Sequence, residues 1–262
     1  MTQSDRSALA GACGLPEDAV YCLSCIDSTN DFAKRLATRG QSCALVIASS
    51  QSAGKGRMGH TFCSPAGTGL YMSLLMRRPF SAEEMTFLTT AAAVYAAEEL
   101  ERLTRRAVGI KWVNDLYMAG KKVCGILCES GYASDGSPAF CVVGIGLNWV
   151  LPPDGFPPDL RSLAGAVFET MPTPGTQYAF IGAVVRRLLT YKADDRPCLL
   201  SGYRQRLFLL GQPVSFEHNG VTTTGIAEEI DDMARLLVRL PDGTRRRLKA
   251  GEIHLHIKKD NL

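Results

Sequence analysis

QSAGKGRMGHTFCSPAGTGLYMSLLM, residues 51 to 76, decides between two kinds of mixed α and β architecture. Gly54, Gly56 and Gly59 satisfy the G-x-G-x-x-G spacing of a dinucleotide-binding turn, but that fingerprint needs its last glycine to open a helix and an acid about 20 residues further on. Here Pro65, Gly67 and Gly69 forbid the helix, no acid stands between His60 and Ala82, and LYMSLLM at 70–76 reads as a strand. No Gly-Lys-Ser or Gly-Lys-Thr closes a Walker loop either. What remains is a glycine-rich basic loop, 51–61, set between the strand CALVIAS at 43–49 and the strand at 70–76. Its glycines expose backbone N–H groups while Lys55 and Arg57 supply positive charge, which suits a phosphate or a carboxylate at close range. The alternative is a surface loop with incidental charges.

Outward from that loop the chain alternates elements without internal repeats. Residues 20–26 read as a strand, and Asp27 or Ser28 can cap a helix whose apolar face holds Phe32, Ala33 and Leu36. Ser81 with Glu84 forms a capping box for a helix over 81–103, whose TTAAAVYAAEEL interior has high helix propensity. Short extended pieces follow at 108–112 and 115–118, then strands at 121–130 and 139–147 around a turn with Asp135 and Gly136. LPPDGFPPDL, 151–160, is a loop, and helices are expected near 175–192 and 195–207. After Gly211 short strands and tight turns take over, with Asn219-Gly220 and Asp242-Gly243 as hairpin signals. Two unequal domains are expected, 1–208 and 209–262.

Composition narrows the class. With 262 residues, 46% hydrophobic and 21% charged, the chain can bury a sizeable core and is neither disordered nor fibrous. No apolar run spans a bilayer and the first residues lack a signal-peptide pattern, so membrane spanning and secretion are excluded as expectations. Nine cysteines, an odd number, point to a reducing cytoplasm. The lone C-x-x-C, Cys22 to Cys25, has no zinc-spaced partner and reads as two small core residues, and no histidine pattern suggests a metal site. The net charge of +3 implies no general affinity for nucleic acid. Residues 235–262 hold eight Lys or Arg against three acids, a solvated strand face or a surface for phosphates or an acidic partner.

Two further segments carry candidate chemistry. Lys111-Trp112-Val113-Asn114-Asp115 is followed by Lys121-Lys122 and Gly125-Ile126-Leu127, and taken alone it reads as an ordinary turn and a charged hairpin tip. The functional reading gives Asp115 the steering of a nucleophilic amine and returns Lys122 along the hairpin to the same pocket. Val142-Val143-Gly144-Ile145-Gly146-Leu147-Asn148 is a strand whose glycines leave room for something flat, or for a bulge or tight packing.

Together with Asp27-Ser28-Thr29-Asn30, these three segments resemble the biotin protein ligases. That family carries G-R-G-R-x-G-R after a glutamine, K-W-P-N-D with a lysine and G-I-L further on, and G-x-G-x-N. Here they stand as GKGRMGH after Gln51, KWVND with Lys122 and Gly125-Ile126-Leu127, and GIGLN, in the same order over residues 20–150. Lys55 and His60 replace arginines, Val113 replaces proline, and Phe62 stands where tryptophan is common. Lys55 keeps charge but loses the bidentate fork, which leaves Arg57 as the better clamp.

The resemblance implies an α+β fold, a mixed and mostly antiparallel sheet with helices of the class II aminoacyl-tRNA synthetase-like kind, plus a small C-terminal SH3-like β-barrel. It implies that biotin and ATP give biotinyl-AMP and pyrophosphate, with Mg2+ as activator, and that a lysine of a biotin carboxyl carrier protein then displaces AMP. Biotin would meet Ser28, Thr29, Asn30, Gln51, Lys55, Gly56, Arg57, Lys122, Gly125 and Gly144. ATP or the adenylate would meet Gly54, Lys55, Arg57, Phe62 and Asn148, with Asn148 reading adenine and Phe62 covering it. Lys122, Arg57 and Asp115 would carry the chemistry, and the loop would order over the adenylate. The 26 residues before Asp27 are too few for a helix-turn-helix domain, so no DNA binding is expected; the family often dimerises through its main sheet, so a homodimer is possible, and the sequence leaves the oligomeric state open. Lipoate or octanoate attachment and a non-enzymatic binding module are the rival readings; the first lacks a use for the Ser28-Thr29-Asn30 cluster.

Overall fold

The computed structural model describes residues 3–78, 80–134, 136–218, 221–248 and 255–257. The chain begins with α1 (Gln3–Cys13), then β1 (Val20–Leu23), α2 (Thr29–Thr38), β2 (Cys43–Ala48), β3 (Gly69–Met76) and α3 (Ala82–Thr104). There follow β4 (Gly109–Lys111), β5 (Asp115–Met118), β6 (Lys121–Tyr132), β7 (Pro138–Asn148), α4 (Thr176–Thr190) and α5 (Arg196–Arg206). The last elements are β8 (Pro213–His218), β9 (Val221–Ile230), β10 (Leu236–Arg239), β11 (Arg245–Leu248) and β12 (Leu255–Ile257).

Seven strands form one sheet in the order β1-β2-β3-β7-β6-β5-β4, with β1 and β2 parallel and every other neighbouring pair antiparallel. Its central strands are apolar on both faces because both faces are covered. On one face, Ala33, Leu36 and Ala37 of α2 pack on Ala44, Val46, Leu75 and Val142. The other face lies under α3 and α4, where Ala91, Ala92, Ala93, Ala96 and Ala97 are wholly buried and let α3 approach closely. The capping box forms as the sequence predicts: Ser81 N donates to Glu84 Oε2 at 2.8 Å and Glu84 N to Ser81 Oγ at 3.1 Å. Ser28 likewise caps α2, accepting from Asp31 N at 3.4 Å.

The C-terminal part is a separate five-stranded antiparallel sheet, β11-β10-β9-β8-β12, as an SH3-like unit requires. The expected Asp242-Gly243 turn is present, with Gly243 at φ 84 and Asp242 Oδ1 accepting from Thr244 N at 2.9 Å. Asn219-Gly220 and Asp135 lie outside the described residues.

Two expectations need correction. The first strand stops at Leu23 rather than residue 26, because Ile26 already bridges to Gln51 and the chain turns there toward the α2 cap. Cys22 is half-buried and packs against the core, but Cys25 is exposed, so only one of the C-x-x-C pair is a core residue; all nine cysteines are free thiols. Helix α1, which shows no strong period in the sequence, is held from outside by tertiary packing, with Leu9, Ala10 and Cys13 buried beside α4. The described part of the basic stretch is also largely matched: Glu228 pairs with Arg239 and Arg245, each at 2.7 Å, and Asp231 with Arg235 at 2.8 Å and Arg247 at 3.0 Å. No helix among the described residues is long and apolar enough to cross a membrane.

Candidate active site

The sequence motifs converge on one cavity of about 260 Å³. Its neutral end is built at the start of α2. Ser73, the single polar residue of β3 and fully buried, donates to Asn30 Oδ1 at 2.6 Å and lies 2.8 Å from Thr29 Oγ1. Asn30 Nδ2 donates to Glu129 Oε2 at 2.7 Å and to the Leu127 carbonyl at 3.2 Å. Gln51 Oε1 accepts from Thr29 N at 2.9 Å and Thr29 Oγ1 at 3.1 Å, while its Nε2 donates to Ser64 Oγ at 2.9 Å. Ser28, Thr29 and Asn30 are each at most 4% exposed, so they form a fixed polar wall rather than a mobile one.

The strand glycines do make room for flat groups, and in the structure the groups are the protein's own. A Cβ on Gly144 would stand 2.1 Å from Asn30 Oδ1, one on Gly146 2.7 Å from the Phe62 ring, and one on Gly125 3.2 Å from that ring. Gly125 and Gly146 face each other across β6 and β7, giving the ring a smooth trough.

The charged end is supplied by the basic loop and by β4 to β6. The loop is a closed hairpin: Phe62 N donates to Gly54 O at 2.9 Å, Gly56 N to His60 O at 2.7 Å, and Met58 and Gly59 turn it with φ 54 and φ 78. Arg57 Nη1 donates to Asn114 Oδ1 at 3.1 Å, tying the hairpin to the motif strand. Burial pulls the Arg57 guanidinium below its usual range, partly offset by Asp115. Lys122 Nζ is 2.7 Å from Asp115 Oδ2, while Asp115 Oδ1 is buried without a hydrogen bond. Lys55 pairs with Asp31 at 2.7 Å and is half-exposed, so it fastens the loop to α2 more than it reaches inward.

Not every expected residue lines the cavity. Gly54 does not; it lets the hairpin close, because a Cβ there would meet Phe62 O at 2.4 Å. Asn148 does not either. Its Nδ2 donates to Gly165 O at 2.8 Å and Lys122 O at 3.4 Å, so it latches the 163–168 segment onto β6. Conversely Lys111, Trp112 and Asn114 line the cavity and escaped selection, although all three stand in the KWVND string that the sequence offered. Lys111 faces Asp115 in the β4–β5 register and makes no ion pair within 4 Å to any described acid; burial lowers its ammonium pKa, with Asp115 opposing and Lys122 adding to the fall. The cavity is therefore lined by Lys55, Arg57, Lys111 and Lys122 against one carboxylate, Asp115. Such a chamber, neutral at one end and cationic at the other, fits a ligand with a polar uncharged head and anionic groups behind it.

Fold and site together define a class. Residues 22–148 match the model of the biotin/lipoate A/B protein ligase family, and 209–255 match the biotin protein ligase C terminal domain. A biotin–[acetyl-CoA-carboxylase] ligase from Paracoccus denitrificans is 32% identical over 87% of this chain and 96% of its own length. The bifunctional ligase/repressor BirA of Bacillus subtilis (strain 168) is 29% identical over 77% of this chain, which spans 63% of that relative's length. A biotin protein ligase from Aquifex aeolicus, solved with biotin and ATP, shares the fold with a TM-score of 0.75 at 22% identity, over 91% of this chain and 99% of that one. The chain belongs to the biotin protein ligase family.

Proposed function

We propose that this chain joins biotin to a lysine of a biotin carboxyl carrier domain in two steps at this one cavity. In the first, a biotin carboxylate oxygen bonds to the α-phosphorus of ATP and the bond to pyrophosphate breaks. In the second, the carrier lysine's amine bonds to the acyl carbon, AMP leaves, and the amine gives up a proton beside Asp115. The observation that carries the reading is the pairing of the buried Ser28-Thr29-Asn30 wall with the cationic end formed by Arg57, Lys111 and Lys122. A neutral ureido ring matches the first, and the carboxylate and phosphate that must approach each other need the second to cancel their repulsion. Phe62, lying in the glycine trough, would cover the adenine in this reading. Mg2+ enters this reading as an ion carried on the nucleotide's phosphates. Nine free thiols agree with a cytoplasmic reaction.

The test is mass spectrometry of the purified chain with biotin, ATP and Mg2+, and with lipoate in a parallel tube. Biotinyl-AMP in the first tube alone is the expected result. Adenylate only with lipoate, or none in either tube with an acceptor peptide unmodified, would overturn it.

Arg57 also bears on retention of the intermediate. Its bond to Asn114 is the hairpin's tie to the far wall, so Arg57→Ala should free the hairpin from that wall and release biotinyl-AMP to solvent about tenfold faster, as expected for losing one charged hydrogen bond. The rate is read as free adenylate appearing in the absence of acceptor, with biotin affinity measured beside it. An unchanged leak at intact biotin affinity would sink the retaining role.

A further inference from the structure

Trp112 belongs to the motif strand but is held by a distant part of the chain. Its indole Nε1 donates to the Ala234 carbonyl at 2.9 Å, across 122 residues of sequence, and the residue, only 5% exposed, is among those that line the cavity. Ala234 sits in the left-handed region at φ 56, a conformation that a residue with a Cβ keeps only where its neighbours enforce it. Asp231 enforces it here. Its Oδ1 accepts from Met233 N at 2.9 Å and Arg235 N at 3.0 Å, its carbonyl accepts from Ala234 N at 2.9 Å, and its Oδ2 takes Arg235 Nε at 2.8 Å and Arg247 Nε at 3.0 Å. Arg204 of α5 pins the start of the same turn by donating to Ile230 O at 3.0 Å.

The neighbours of Trp112 are each fastened by a different element. The Val113 carbonyl accepts from Tyr203 Oη of α5 at 2.8 Å, Asn114 Nδ2 donates to Ile126 O at 2.8 Å, and Asp115 pairs with Lys122. Within the stretch 112–115, Trp112 is the residue whose side chain is bonded to the C-terminal sheet. Lys111 precedes it directly, and Lys111 and Asp115 face each other in the strand register.

We propose that Trp112 is a positioning residue through which the 231–235 turn of the C-terminal sheet sets Lys111 and Asp115 against the acyl-phosphate. The inference rests on the ligase reading above. The turn is a built acceptor, because four hydrogen bonds and the Arg247 ion pair converge on Asp231 to present one outward carbonyl. The polar wall of Ser28, Thr29 and Asn30 is fixed by β3, β6 and Gln51, and receives no hydrogen bond from residues 111–115. A loosened Trp112 therefore affects the charged half of the cavity and spares the neutral half.

The full chain is tested with biotin, ATP and Mg2+ as wild type, Trp112→Phe, Asp231→Ala and the double variant. Trp112→Phe keeps the ring and removes the donor. Both single variants should lower kcat for adenylate formation about fivefold, the scale of one hydrogen bond, with biotin Kd within twofold of wild type. The double variant should be no slower than the slower single one, because both remove the same tie. A readout independent of activity is the indole N–H exchange: the protein has two tryptophans, and the signal missing in Trp112→Phe should exchange at least tenfold faster in Asp231→Ala. Unchanged kcat in Trp112→Phe, multiplicative losses in the double variant, or biotin affinity falling in step with kcat would each overturn the proposal. A wild-type chain that makes no adenylate overturns the ligase reading and the catalytic half of the proposal together, a result distinct from normal wild-type turnover with an unaffected Trp112→Phe.

Discussion

Gly144→Ala should raise the Kd for biotin by about 100-fold or more, measured by calorimetric titration. The added Cβ would lie 2.1 Å from Asn30 Oδ1, well inside any contact a carbon can make, so either the β7 backbone or Asn30 must move. Asn30 has nowhere to go. It is 4% exposed, its Oδ1 holds Ser73 and its Nδ2 holds Glu129 and Leu127 O, so displacing it breaks a buried network. Overpacking costs about 1–3 kcal/mol, and a buried polar group left without its partner costs about 1–3 kcal/mol more. Gly146→Ala is the informative comparison. There the Cβ would meet the ring of Phe62, a half-buried side chain on a hairpin, 2.7 Å away, and the ring can swing out. That variant should keep most of its biotin affinity and lose affinity for the adenine end instead. A Gly144→Ala chain that binds biotin within threefold of wild type would remove the neutral wall from the proposed site.

Much of this arrangement was legible before any coordinates. The central strands at 43–48, 69–76 and 138–148 announce themselves as apolar runs because they are largely buried on both faces, and the two helix caps at Ser28 and Ser81 have local hydrogen-bond logic that a sequence displays. Helix α1 was missed because its stability comes from docking on α4, which leaves a weak period in the sequence. The site residues divide the same way. Charge and glycine spacing pick out Arg57, Lys122 and Gly144, whereas the direction in which a side chain finally points depends on long-range packing. Thus Asn148, one residue past the glycine strand, turns to the carbonyls of Gly165 and Lys122, and Lys55 turns out to Asp31. Lys111 and Trp112 were hidden for the opposite reason. A lysine and a tryptophan before a turn have common structural explanations, and only the β4–β5 register and a contact 122 residues away show what they face.

Lys122→Met should reduce the rate of adenylate formation by about 10²–10³, the usual loss when one charge-stabilising group is taken from a reacting centre. The ammonium sits 2.7 Å from Asp115 Oδ2, and Asp115 Oδ1 already lacks a partner, so the substitution also strips the carboxylate of its counter-charge in a part-buried position. Lys111→Met should cost less, about tenfold, because Lys111 makes no ion pair with any described acid, but its loss has a pH signature. Burial lowers the Lys111 pKa, so this group gives up its proton below the ordinary lysine range. As pH rises through that value the cavity loses a positive charge, and the wild-type rate should fall on an alkaline limb that ordinary lysines would not produce. Lys122 adds to the lowering by like-charge repulsion, so removing it should move the limb to higher pH even as the maximal rate drops. Lys111→Arg, which stays charged throughout, should flatten the limb. Stopped-flow pyrophosphate release across the alkaline range reads all three, and a limb unmoved in Lys122→Met and still present in Lys111→Arg would assign the titration to another group.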